Sequence, residues 1–119
     1  MLTFVLETLE ELRAQFQNVR DFLDQNKIGE DNVYDVRLTI FELCGNILQH
    51  SKCPCRVTLE LSDSVISIRI ESDVAFRIHE ACGTTFSERG RGVFLVKNLV
   101  RSLQYFDCGK NIVAEIERC

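Results

Sequence analysis

Glu42, Asn46 and His50 stand four residues apart in the stretch Glu42-Leu43-Cys44-Gly45-Asn46-Ile47-Leu48-Gln49-His50. On a helix of ~3.6 residues per turn, that spacing sets a carboxylate, an amide and an imidazole along one edge, within ~12 Å of axis. Such a row has the donors to hold a metal ion and the base to activate a nucleophile. It is also what a plain amphipathic helix shows to water, because Asp35, Thr39, Glu42, Asn46 and Gln49 trace one polar stripe.

A second stretch, Glu88-Arg89-Gly90-Arg91-Gly92-Val93-Phe94-Leu95-Val96, places two glycines one residue apart just before an apolar, helix-periodic run. Glycine lets the backbone approach a ligand closely, and the free N–H groups of the following helix favour phosphate. A turn that needs positive φ explains the same pattern without a ligand.

The elements that position these stretches follow from periodicity. Residues 2–7 read as a first strand. Thr8 and Glu11 form a capping box, and Leu9, Leu12, Phe16, Val19 and Phe22 or Leu23 give a first helix to about Lys27, stopped near Gly29. Asp31 or Asn32 is expected to cap a second helix that buries Val33, Val36, Ile40, Leu43 and Ile47, widened by Phe41, Cys44 and Leu48. After Pro54 the period drops to two. Cys55 to Leu61 and Ile66 to Ile70 then make a hairpin around Ser62-Asp63-Ser64. Residues 71–91 read as loop, with a turn of helix around Ile78 to Ala81. Val93, Val96, Leu99, Val100 and Leu103 predict a third helix opening at Gly92, and Leu103 to Asp107 with Asn111 to Glu117 a second hairpin. The order predicts a single α+β domain over residues 1–119, a two-layer sandwich whose mixed, mostly antiparallel sheet carries helices on one face.

Composition bounds the function. The 119 residues suffice for one core, and 14 Lys plus Arg against 18 Asp plus Glu leave a net charge of −4, which disfavours direct nucleic-acid binding. No apolar run approaches a membrane span, and the start lacks a basic leader and cleavage site, so a cytoplasmic location is expected. Of six cysteines only Cys53 and Cys55 are close in sequence, and no second pair has ligand spacing, so reduced thiols are expected. Cys44 lies on the apolar side of its helix.

Taken together, the two stretches resemble the histidine-kinase-like (GHKL) ATPases, and within them the bacterial anti-sigma regulatory factors that act as serine-protein kinases. The Glu-x-x-x-Asn-x-x-x-His box is met by Glu42, Asn46 and His50. The Gly-x-Gly box is met by Gly90 and Gly92, and the closing pattern runs through Tyr105-Phe106 and Gly109-Lys110-Asn111. The resemblance implies ATP and Mg²⁺ as cofactors. Asn46 would ligate the metal, Glu42 would take the proton of the attacking hydroxyl, and His50 would lie near the nucleotide or simply meet the helix dipole. Gly90, Arg91 and Gly92 would wrap the phosphates, with Arg89 or Arg91 neutralising charge. It further implies a sigma factor and an antagonist protein as partners and a homodimer, for which an edge strand at residues 2–6 offers a place.

One box departs from the family. Where it has Asp-x-Gly-x-Gly for adenine, this chain sets Glu71, Asp73 and Ala75, ahead of Phe76. Glu71 is a methylene longer than Asp, and Asp73 brings a side chain and a charge where glycine would leave room; alternatively Asp73 reads the adenine, with Ala75 in the first glycine's place. Two readings follow: an ATP-dependent kinase and anti-sigma factor, or a pseudoenzyme of the same fold that binds regulators without nucleotide.

Overall fold

A computed structural model describes residues 1–50, 54–72, 96, 98–106 and 110–118, the side chain of His50 excepted. The elements are β1 (Leu2–Leu6), α1 (Leu9–Gln25), α2 (Glu30–His50), β2 (Cys55–Leu61), β3 (Val65–Ser72), β4 (Ser102–Phe106) and β5 (Asn111–Glu117). The five strands form one sheet in the order β1-β2-β3-β5-β4, and every pairing within it is antiparallel. The expected α+β sandwich is therefore present, and among the described residues its expected mostly antiparallel sheet is antiparallel throughout. β1 and β4 stand at its edges.

Alternation decides which face is covered. Phe4 and Leu6, Cys55, Val57 and Leu59, Ile66, Ile68 and Ile70, and Ile112, Ala114 and Ile116 are all buried. Their register lines them up across four strands, with Phe4 opposite Val57, Val57 opposite Ile70 and Ile70 opposite Ile112. Successive side chains of a strand point to opposite faces, so this is a single apolar face. Over it lies α2, which packs on β2, β3 and β5, while α1 packs on α2 and β1. Val33, Val36, Ile40, Leu43, Cys44 and Ile47 of α2 and Leu12, Val19 and Leu23 of α1 close the core.

The helix ends follow local chemistry, with two departures from expectation. Thr8 Oγ1 accepts from the Glu11 N–H at 3.1 Å, and Glu11 Oε1 accepts from the Thr8 N–H at 3.1 Å, the reciprocal box read from the sequence. At the other end α1 stops before Gly29: Lys27 takes φ 60°, and the Ile28 N–H donates to the Leu23 carbonyl at 3.0 Å. The left-handed residue that ends the helix is thus a lysine, and buried Ile28 anchors the turn. The second departure is the start of α2 at Glu30, with the Val33 N–H bonded to the Gly29 carbonyl at 3.0 Å. Asp31 and Asn32 consequently sit inside the first turn and do not cap it. Val96, Asn98 and Leu99 are helical, and the Val100 N–H meets the Val96 carbonyl at 3.0 Å, as a third helix requires. Its opening at Gly92 and the turn around Ile78 lie outside the described residues, and Leu103 belongs to β4.

Candidate functional site

The polar row on α2 is not a solvated stripe. Thr39 is fully buried and Asn46 is 4% exposed, while Asp35 and Glu42 are half-buried and only Gln49 is exposed. The reading of Asp35, Thr39, Glu42, Asn46 and Gln49 as a water-facing edge therefore fails at its centre. Thr39 resolves its own burial by donating to the Asp35 carbonyl at 2.7 Å, the back-bond a helical threonine makes. Asn46 does not, since its buried Nδ2 has no hydrogen-bond partner among the described residues.

An unmade buried hydrogen bond costs about 1–3 kcal/mol, and among the described residues Asn46 Nδ2 is the buried side-chain atom left without a partner. One turn earlier, burial pushes the Glu42 carboxyl above its ordinary value. Asp35, further up the row, is pushed the same way, by burial first and by the charge of Asp31 second. A carboxylate made more basic by burial can take a proton, and the Asn46 one turn on offers its Nδ2 to an acceptor group and has a side-chain oxygen of the type a hard cation takes. Among the described residues no group of three or more His, Cys, Asp or Glu gathers in the manner of a metal site.

Of the other expected site residues, Glu71 does not join this pair. Ile66, Ile68 and Ile70 are buried beneath the helices, so Glu71 belongs to the opposite sheet face, where it pairs in register with Arg56 of β2 and Asn111 of β5. The next position on the helix side is Ser72, half-buried at the end of β3, with its N–H on the Lys110 carbonyl at 2.8 Å. The period of two in Ile66, Ile68 and Ile70 already carried that signal. His50 closes α2, and its side chain lies outside the described residues, as do Asp73, Ala75, Arg89, Gly90, Arg91 and Gly92.

Two helices stacked on one face of an antiparallel sheet, the inner one bearing a glutamate and a buried asparagine a turn apart, have the architecture of histidine-kinase-like ATPases. The family model of the histidine kinase-like ATPase domain matches residues 5–115, and the chain belongs to that family. Membership places it among ATPase- and kinase-like regulatory domains. Comparison with curated proteins gives no match. No helix of the described residues is long and apolar enough to cross a membrane.

Proposed function

We propose that the chain is an anti-sigma regulatory factor that phosphorylates a serine of a small antagonist protein, with ATP as phosphoryl donor, in a bacterial partner-switching system. The observation that supports this reading is the buried Asn46, whose Nδ2 has no acceptor among the described residues, one turn from a half-buried Glu42 whose carboxyl burial makes more basic. The donor set fits the metal: Mg²⁺ takes one or two protein oxygens and completes its shell with water and phosphate. Bound Mg-ATP would supply the γ-phosphoryl group and the charge that offsets its oxygens. Asn46 would hold the metal through its side-chain oxygen. Glu42 would receive the proton of the attacking serine hydroxyl, a transfer helped by its raised proton affinity. The resemblance assigns the phosphates to Gly90, Arg91 and Gly92, with Arg89 beside them. Sigma factor and antagonist would be the partners, in the cytoplasm, with a homodimer formed along the edge strand β1.

The position of Glu71 favours a second reading. With that carboxylate on the far face of the sheet, the described part of β3 offers no carboxylate for adenine on the helix side, which suits a protein-binding module that works without nucleotide. Isothermal titration of the purified chain with Mg-ATP separates the two. The kinase reading expects saturable binding; a flat titration at high protein concentration would refute it and leave the binding module. Light scattering tests the dimer, and a clean monomer would remove it.

A further inference from the structure

Helix α2 carries a second apolar stripe beside the one it turns to the core. Tyr34, Leu38 and Phe41 recur at spacings of four and three, next to the buried line of Val33, Val36, Ile40, Leu43 and Ile47. Phe41, read from the sequence as widening that line, stays 39% exposed, and Tyr34 63%. Half-buried Phe16 of α1 reaches across to Phe41, with ring centroids 6.3 Å apart, and the Arg37 guanidinium stands 5.2 Å from the centre of the Phe16 ring. Phe16, Tyr34, Arg37, Leu38 and Phe41 thereby line a groove of about 230 Å³ on the exposed side of the helix pair. We propose that this groove docks an amphipathic helix of a partner protein, whose apolar side chains fill it and whose carboxylate pairs with Arg37.

Size and charge choose the occupant. The volume is below the ~300–1,000 Å³ of small-molecule pockets, so it suits the side chains of a partner rather than a whole ligand. A furrow between two packed helices accepts the side-chain ridge of a third, and apolar anchors one turn apart match its lining. Aromatic residues and arginine are also the types enriched at interface centres. The chain carries a net charge of −4, yet the charge in the lining is positive, that of Arg37. Arg13, exposed one turn before Phe16, adds to it, whereas Arg20, one turn after, is engaged by Asp24 and Glu30. A segment with a carboxylate beside its apolar anchors therefore complements the groove. A second copy does not, because a two-fold contact centred here sets Arg37 against its own equivalent. A broad anionic membrane fits no better, since it would have to meet Glu10, Asp21, Glu30 and Asp31, exposed on the same two helices. The groove draws on neither Glu42 nor Asn46 and stands or falls apart from the kinase reading.

The test uses the full chain and a pair of fluorescein-labelled, helix-stapled peptides with the same leucines one turn apart, one flanked by glutamates and the other by lysines. In fluorescence anisotropy the glutamate peptide is expected to bind at least about tenfold more tightly than the lysine peptide. Arg37→Glu is expected to remove or reverse that preference, and Phe41→Ser to abolish binding of both. Tyr34, Arg37 and Phe41 are exposed, so each variant is expected to keep its fold, which thermal melting checks; should Phe41→Ser melt early, Tyr34→Ser and the Arg37→Glu reversal still decide. No binding of either peptide, equal binding of both, or a preference unchanged in Arg37→Glu overturns the proposal. So does a dimer in light scattering that Tyr34→Ser dissolves, which gives the groove to a second copy. Sedimentation with phosphatidylglycerol vesicles that the same variant abolishes gives it to a membrane and overturns the proposal equally.

Discussion

Helix α2 buries an asparagine near each end, and the two are treated in opposite ways. Asn32, 3% exposed, donates through Nδ2 to the Glu117 carbonyl at 3.1 Å and ties the first turn of the helix to the end of β5. Asn46, 4% exposed, makes no such bond among the described residues. Residue type, helix and burial are matched, so only the partner differs. The first asparagine is part of the scaffold, and the second is a buried polar group whose Nδ2 the described residues leave without an acceptor. On the reading proposed above, that is the place a ligand would complete.

The comparison is sharpest when the same substitution is made at both ends. Leucine resembles asparagine in size and cannot hydrogen-bond. Asn32→Leu deletes a bond and strands the Glu117 carbonyl, so stability in urea is expected to fall by about 2 kcal/mol. At Asn46 the same change removes a group that has no acceptor among the described residues, and stability is expected to rise by about 1 kcal/mol. Mg-ATP affinity should meanwhile fall at least about tenfold, roughly 1.4 kcal/mol, in titration calorimetry. Should both variants lose stability alike, Asn46 is scaffold too, and the contrast is gone.

How much of this was readable in the chain depends on the range of the interaction. The Thr8 and Glu11 box, the helical stripe of α2 and the alternation of β2, β3 and β5 are local, and the sequence showed them. Asn32 looked like a cap because asparagine favours caps, but its actual partner is a carbonyl 85 residues away. Cys44 and Cys55 gave no metal or disulfide spacing, and both are buried in the core between helices and sheet. Thr39 and Asn46 read as a wet edge because periodicity ranks polar residues outward and cannot report what covers them. The side of the sheet that Glu71 takes is legible, since Ile66, Ile68 and Ile70 fix the parity of β3.

Gly45 offers a milder probe of the same turn. A Cβ there would meet nothing within 4 Å among the described contacts, so packing within the chain does not demand glycine. Glycine inside a helix costs about 0.8–1 kcal/mol relative to alanine. Gly45→Ala is expected to raise stability in urea by somewhat less than 1 kcal/mol. A drop would mean that the turn carrying Asn46 needs room that the described residues do not take up.

The smallest expected effect concerns the proton at Glu42, and its sign is unusual for a carboxylate. The unfolded chain titrates near the ordinary value of 4.5, while burial raises the folded value. Between the two, the folded chain holds more protons than the unfolded one, so stability falls as pH rises through that window and recovers on acidification. Asp35 acts in the same direction from its ordinary value of 3.8. Glu42→Gln deletes one of these two contributions. Its melting temperature should exceed that of the native chain at neutral pH, and the difference should shrink as pH drops through the window that opens at 4.5. Asp35 then contributes to the residual slope. A difference independent of pH would mean that Glu42 is not held above its ordinary range, and the basic carboxylate beside Asn46 would lose its physical ground.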